Sequence, residues 1–234
     1  MSQKRFAIIV AGGSGTRMQA NVPKQFLLLE GRPVLMYSIE CLHRVGADVT
    51  VVLPDIEHSH WQSLIQEYHF KVPHKISSGG LTRNRSVFNG LQTIDDNEAL
   101  VAVHDAARPI LKPELAEKLF EHAAHRGNAI PVVAVRESLR RINSAENKAV
   151  NRAEIFAVQT PQVFKVDLLK DAFIRNSDIT FTDEASLIEA VGHTVSSIQG
   201  DRDNIKITFP EDILIASIPV SYTHLRAHET GRNL

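Results

Sequence analysis

The chain has 234 residues, a formal net charge of −1, 43% apolar and 23% charged residues, the balance of an ordinary folded globule. That balance excludes a wholly disordered chain or a fibre, and the near-zero charge argues against a dedicated nucleic-acid surface, which needs a strongly basic face. A single cysteine, Cys41, excludes an internal disulfide framework and a cysteine-based zinc site, and it agrees with a reducing compartment.

In chain order, apolar runs of strand length stand at FAIIV (6–10), VTVVL (49–53), ALVAV (99–103), AIPVVAV (129–135) and TVSSI (194–198). Helical spacing is predicted over 34–45, 59–68, 83–94, 113–125, 166–175 and 183–190, with Pro113 at a permissible first-turn position and a last helix beginning at Pro210. The alternation predicts an α/β fold with a largely parallel sheet, whose VVL and VAV runs suit strands buried on both faces. One segment breaks the pattern. Residues 136–158 are polar and charge-rich around a turn-like centre at 143–147, which predicts a hairpin arm leaving the sheet and needing something to pack on. The opening apolar run is too short for a signal-peptide core, and no stretch nears the ~20 apolar residues of a membrane span, so the expected setting is cytoplasmic, away from any membrane. The eleven histidines are scattered, and the His58/His60 pair lacks a ligand constellation.

The first run passes straight into Ala11-Gly12-Gly13-Ser14-Gly15, small residues that let backbone N–H groups approach phosphate oxygens. Arg17 and Lys24 follow, and Pro23 rigidifies the approach to Lys24. The spacing matches neither the Walker pattern nor the dinucleotide pattern, whose third small residue is replaced by Met18. Glycines after a first strand can also make a plain turn; the two cations favour a triphosphate grip. A second run, ALVAVHDAARP, delivers Asp105 and Arg108 at a strand's carboxyl end, where open α/β sheets bind ligands. Asp105 suits Mg²⁺ beside phosphates and Arg108 suits phosphate itself, the alternative being a capped turn with a surface ion pair. Gly79-Gly80 leads into a helix start bearing Arg83, Arg85 and Ser86, either an anion or base contact or a simple cap. Asp183 and Glu184 after Thr182 suit an N-cap and first-turn acids. Asp201, Asp203 and Lys206 either face the same cleft or form a solvated loop.

Taken together, AGGSGTRM, PKQF, GG-x-x-R-x-x-SV-x-x-GL, HDAARP, VQTPQVF, TDEAS and DNIKIT stand in an order that resembles the 2-C-methyl-D-erythritol 4-phosphate cytidylyltransferase family, over about 6–215. The first motif alone is common to many sugar-phosphate nucleotidyltransferases; the joint set is specific. The resemblance implies a Rossmann-like nucleotidyltransferase domain, its mostly parallel sheet flanked by helices, with a protruding β-arm for dimerisation. It further implies a homodimer using CTP, a sugar-alcohol phosphate and Mg²⁺ or another divalent cation. By the same resemblance, Arg17 and Lys24 stabilise the transition state, while Lys206 and Arg152, the latter from the neighbouring subunit's arm, place the acceptor phosphate. Ala11, Gly12, Gly13, Ser14 and Gly15 would hold the nucleotide with Gly80 and Ser86. Asp105, Arg108, Ser138, Thr160 and Thr182 fall at acceptor positions, Ser138 where some relatives carry Thr, and Asp105 and Asp203 are the metal candidates. The single domain is expected to span 1–218. Residues 219–234 are polar, aperiodic and unlike this family's helix end, and resemble translated adaptor sequence, a foreign and disordered tail. The rivals are a ribitol-5-phosphate cytidylyltransferase, a dehydrogenase using Gly13, Gly15 and Asp55, and a non-catalytic nucleotide-binding protein.

Overall fold

Strand β1 (Arg5–Val10) runs through the middle of an eight-stranded sheet, and its alternation organises both layers around it. This computed structural model describes residues 3–13, 22–176 and 181–218, so Ser14, Gly15, Arg17 and the 219–234 tail lie outside the described residues. Successive strand side chains point to opposite faces. Ala7 and Ile9 accordingly join the core beneath helices α1 (Val34–Arg44), α2 (His58–Glu67) and α4 (Pro113–Arg126). Ile8 and Val10 join the opposite core with α3 (Arg83–Leu91), α5 (Val166–Arg175) and α6 (Glu184–Ala190). The small ribbon β2 (Leu28–Leu29) and β3 (Arg32–Pro33) leads into α1.

Beside β1 lie β4 (Ala47–Leu53) and β6 (Leu100–Asp105), both parallel to it, and β5 (Lys75–Ser78) extends the sheet in parallel beyond β4. Every residue of β6 is buried, as its uninterrupted apolar run predicts. The register sets Val10 opposite Asp105, so the glycine run after β1 and the acidic end of β6 emerge side by side. Next to β6, β11 (Gln162–Lys165) runs antiparallel and connects to β7 (Asn128–Ala134), which also pairs with β12 (Ser197–Gln199). Helix α4 begins at Pro113 and stops at Gly127, whose φ of 85° ends it in the left-handed conformation. Residues 211–218 form α7. Among the described residues no helix is long and apolar enough to cross a membrane.

The arm is shorter than 136–158. Strands β8 (Leu139–Ile142) and β9 (Asn147–Val150) form the antiparallel hairpin, and Asn143 Oδ1 accepts from the N–H groups of Ala145 and Glu146 at its tip, both at 2.9 Å. Phe156–Val158 returns to the main sheet as edge strand β10, antiparallel to β7. Strands β5 and β11 carry no long apolar run in sequence; four residues each, they are held as strands by their neighbours rather than by their own pattern.

Candidate active site

A cleft of about 350 Å³ opens at the carboxyl ends of β1 and β6, the position that a parallel sheet offers to ligands. Ala11, Gly12 and Gly13 form one wall, and Lys24 lies across it, since a Cβ added at Gly13 would sit 3.2 Å from Lys24 Cε. Gly80 and Ser86 form the facing wall. Gly80 N donates to Ser86 Oγ at 3.0 Å, and Ser86 Oγ donates to the Thr82 carbonyl at 2.9 Å, which ties the glycine loop to the first turn of α3. A side chain at Gly80 would come within 2.3 Å of Arg85 Cγ, so the loop requires glycine. Thr82 caps α3 by accepting from Arg85 N at 3.1 Å.

Asp105 and Lys206 complete the cleft, with Lys206 Nζ donating to Asp105 Oδ2 at 2.7 Å and Arg83 Nε to Oδ1 at 3.4 Å. Arg108 Nε stands 4.0 Å from Oδ2. Burial by itself would raise the Asp105 carboxyl, but Arg83, Lys206 and Arg108 together hold it below the usual carboxylate range. Its backbone is fixed as well. The Arg108 carbonyl can only accept, so the His104 Nε2 that faces it at 3.2 Å carries the ring hydrogen. His104 Nδ1 then accepts from the Thr160 hydroxyl at 3.1 Å, and Thr160 Oγ1 accepts from Asp105 N at 3.1 Å. Burial lowers the His104 pKa to about 4, in agreement with a neutral ring.

The predicted residues divide by place. Ala11, Gly12, Gly13, Lys24, Gly80, Ser86, Asp105 and Lys206 line one cleft. Thr160 is buried behind it with its hydroxyl already spent on Asp105 and His104, which makes it a support for Asp105 rather than a surface for substrate. Arg108 is largely buried and donates from Nη1 to the Asn204 carbonyl at 2.8 Å, tying the end of β6 to the segment that carries Lys206. Asp203 does not line the cleft: Lys112 Nζ binds it at 2.8 Å and Asp201 at 2.7 Å, and of that segment's charges Lys206 is the one that reaches the cleft. Thr182 is exposed just before α6. Ser138 and Arg152 are exposed at the arm's root, where Arg152 Nη1 donates to the Arg136 carbonyl.

Magnesium accepts one or two carboxylates when substrate phosphates supply further oxygens. Among the described residues no group of three or more acidic, histidine or cysteine side chains is placed to hold a metal by itself. Asp105, ionised and lining the cleft, fits the one-carboxylate arrangement, its oxygens shared with Lys206 and Arg83; Asp203 does not line the cleft and does not fit it.

The family profile of 2-C-methyl-D-erythritol 4-phosphate cytidylyltransferase matches residues 6–221. A protein of that name from Bacteroides thetaiotaomicron is 44% identical over 216 residues, covering 92% of this chain and 98% of its own length. Its counterpart from Azobacteroides pseudotrichonymphae is 43% identical over 217 residues, covering 92% and 97%. The chain belongs to the 2-C-methyl-D-erythritol 4-phosphate cytidylyltransferase family. Solved structures agree: 4-diphosphocytidyl-2C-methyl-D-erythritol synthase of Anaerococcus prevotii superposes with a TM-score of 0.80 at 25% identity over 94% of this chain and 99% of its own. The Thermus thermophilus cytidylyltransferase gives 0.73 at 30% identity over 93% and 98%.

Within this cytidylyltransferase site two residues carried by separate motifs take a joint role that neither motif shows. Arg83 lines the cleft, and Glu184, the residue after the α6 N-cap, is 2% exposed and grips it from behind. Asp183 does cap α6, accepting from Ser186 N at 3.1 Å. Glu184 is therefore an inward ion-pair partner and not the solvent-facing first-turn acid that its position suggests. The signal available in sequence was an acid and an arginine placed in two separate motifs, with nothing to show that they meet.

Proposed function

We propose that this cleft transfers CMP from CTP to 2-C-methyl-D-erythritol 4-phosphate, giving 4-CDP-2-C-methyl-D-erythritol and pyrophosphate in the non-mevalonate route to isoprenoid precursors. The observation that carries the proposal is the convergence of Lys24, Asp105 and Lys206 on a glycine-walled, strand-end cleft in a chain of the cytidylyltransferase family. An acceptor phosphate oxygen attacks the α-phosphorus of CTP in line, the new P–O bond forms, and the bond from the α-phosphorus to the β-phosphate bridging oxygen breaks, releasing pyrophosphate. No protein base is needed, because a phosphate monoester with a second pKa of about 6 is already a dianion near neutral pH. The protein's task is positioning and charge neutralisation. Gly12 and Gly13 let backbone approach the triphosphate, Lys24 meets the charge developing on the departing pyrophosphate, and Lys206 orients the acceptor phosphate. Arg17 shares the role of Lys24 in this proposal. A divalent cation, Mg²⁺, would be held by Asp105 and would neutralise phosphate charge when bound.

A homodimer is part of the same proposal. An isolated hairpin is marginal in water, and both the arm and the neighbouring edge leave Ile142, Phe156 and Val158 exposed. A second copy packed there would bury them and bring its own Arg152 to the acceptor side. The location we infer is the cytoplasm. The test is pyrophosphate release from CTP with each of two acceptors: release that requires methylerythritol phosphate is expected, and release that prefers ribitol 5-phosphate would overturn the substrate assignment.

A further inference from the structure

Glu184 is sealed beneath the cleft and accepts from Arg83 through both oxygens, Nη1 to Oε1 at 2.6 Å and Nη2 to Oε2 at 3.0 Å. This fork-on-fork contact fixes the plane of the guanidinium. With one hydrogen of each Nη directed to Glu184, Nε points at Asp105 Oδ1, while Asp105 Oδ2 receives Lys206. Burial by itself would lower the pKa of Arg83, but Glu184 and then Asp105 raise it above its ordinary value, so the guanidinium stays charged. The N-terminus of α6 is itself pinned: Gln162, buried on β11, donates to Asp183 Oδ2 at 2.9 Å and accepts from Ala185 N at 3.0 Å. Four elements thus form one chain of contacts, α6 to α3 to the end of β6 to the segment bearing Lys206.

A buried ion pair is an inefficient source of stability, because apolar groups of the same volume commonly serve as well. Its value lies in direction. Lys206 is a flexible side chain, 40% exposed, whose ammonium donates to the Asp105 carboxylate. The other oxygen of that carboxylate accepts from Arg83 Nε. We propose that Glu184 and Arg83 are positioning residues for cytidylyl transfer, holding Asp105 in the one orientation that sets Lys206 toward the acceptor phosphate. This deepens, and rests on, the proposed reaction at the same cleft.

The test is a double-mutant cycle on kcat/KM for the acceptor, with thermal stability measured in parallel. Glu184→Gln keeps the shape and removes the charge that holds Arg83. It is expected to lower kcat/KM by about ten- to a hundred-fold, the scale of small misplacements at a reacting centre. In an Asp105→Asn background the same change is expected to cost less than two-fold, because the carboxylate through which it acts is already gone. A merely structural role predicts the same loss in both backgrounds. Should Glu184→Gln fail to fold, Arg83→Lys takes its place in the cycle, since it keeps the charge on a partly exposed side chain and loses the fork. Equal losses with and without the Asp105 carboxylate, or a fully active Arg83→Lys enzyme, would overturn the positioning role alone. Absence of any CDP-methylerythritol from the wild-type chain would overturn the reaction, and the positioning role with it.

Discussion

His104 is fully buried, and its folded pKa of about 4 lies below the ordinary 6.5. Between those values the unfolded chain binds a proton that the folded chain refuses, so the stability present above pH 6.5 is lost as pH falls toward 4. Thermal melts are expected to drop more steeply from pH 6.5 to 5 in the wild type than in His104→Asn, and parallel slopes would show that the ring is not held neutral. Asp105 lies one residue further on and its carboxylate is the negative partner of Arg83 and Lys206. Asp105→Asn is expected to lower turnover by about 10²-fold and to change the Mg²⁺ dependence of the rate; an unchanged metal titration with unchanged rate would confine Asp105 to a structural part. At this scale the sequence was informative where chemistry sits in contiguous runs beside a strand end, as with Gly12, Gly13, Lys24 and Asp105. It was silent on the Arg83–Glu184 pair. Those residues stand 101 positions apart, and only the packing of α6 and α3 on one face of the sheet brings them together.

Among the elements, α3 owes its position to Gly90, where the helix crosses β1 and β4. A Cβ there would lie 2.8 Å from Ile8 Cγ2 and 2.9 Å from Val52 Cγ2, both in the core. Gly90→Ala gains about 1 kcal/mol of helix propensity against an overpacking cost of about 1–3 kcal/mol, and both contacted side chains are fully buried. A net loss of stability is expected in chemical denaturation, read as a lower midpoint at unchanged slope; an unchanged or raised midpoint would show that the helix shifts freely. All six helices predicted over 34–190 were legible from 3.6-residue periodicity, because each buries a single apolar stripe. The short strands were harder. Strand β5 is a polar edge, and β10 and β11 are brief stretches against β7, interrupted by Gln159-Thr160-Pro161 with a change of register between Val158↔Val132 and Val163↔Ala129. Such segments take their conformation from partners distant in sequence, and for that reason the arm's return looked longer than it is.

For the whole molecule, the proposed dimer makes each active site a composite of one subunit's cleft and the other's arm. Closed two-fold pairs are the commonest oligomers, and the exposed β10 edge with its apolar side chains is a surface that a monomer would have to protect. Homodimers of Lys24→Ala and of Arg152→Ala are both expected to be nearly inactive, whereas subunit exchange between them should restore activity, because a heterodimer regains one site with both residues intact. Verified heterodimers that recover nothing, or an active monomer in sedimentation, would show that Arg152 does not act across subunits. The chemistry of the cleft is tested most directly by single-turnover formation of 4-CDP-2-C-methyl-D-erythritol from CTP and methylerythritol phosphate, in the wild type and in Lys24→Ala. Product from the wild type is expected, with a rate lower by about 10²- to 10³-fold in the variant while its melting temperature is retained. No product from the wild type, or an undiminished rate in Lys24→Ala, would contradict cytidylyl transfer by this cleft.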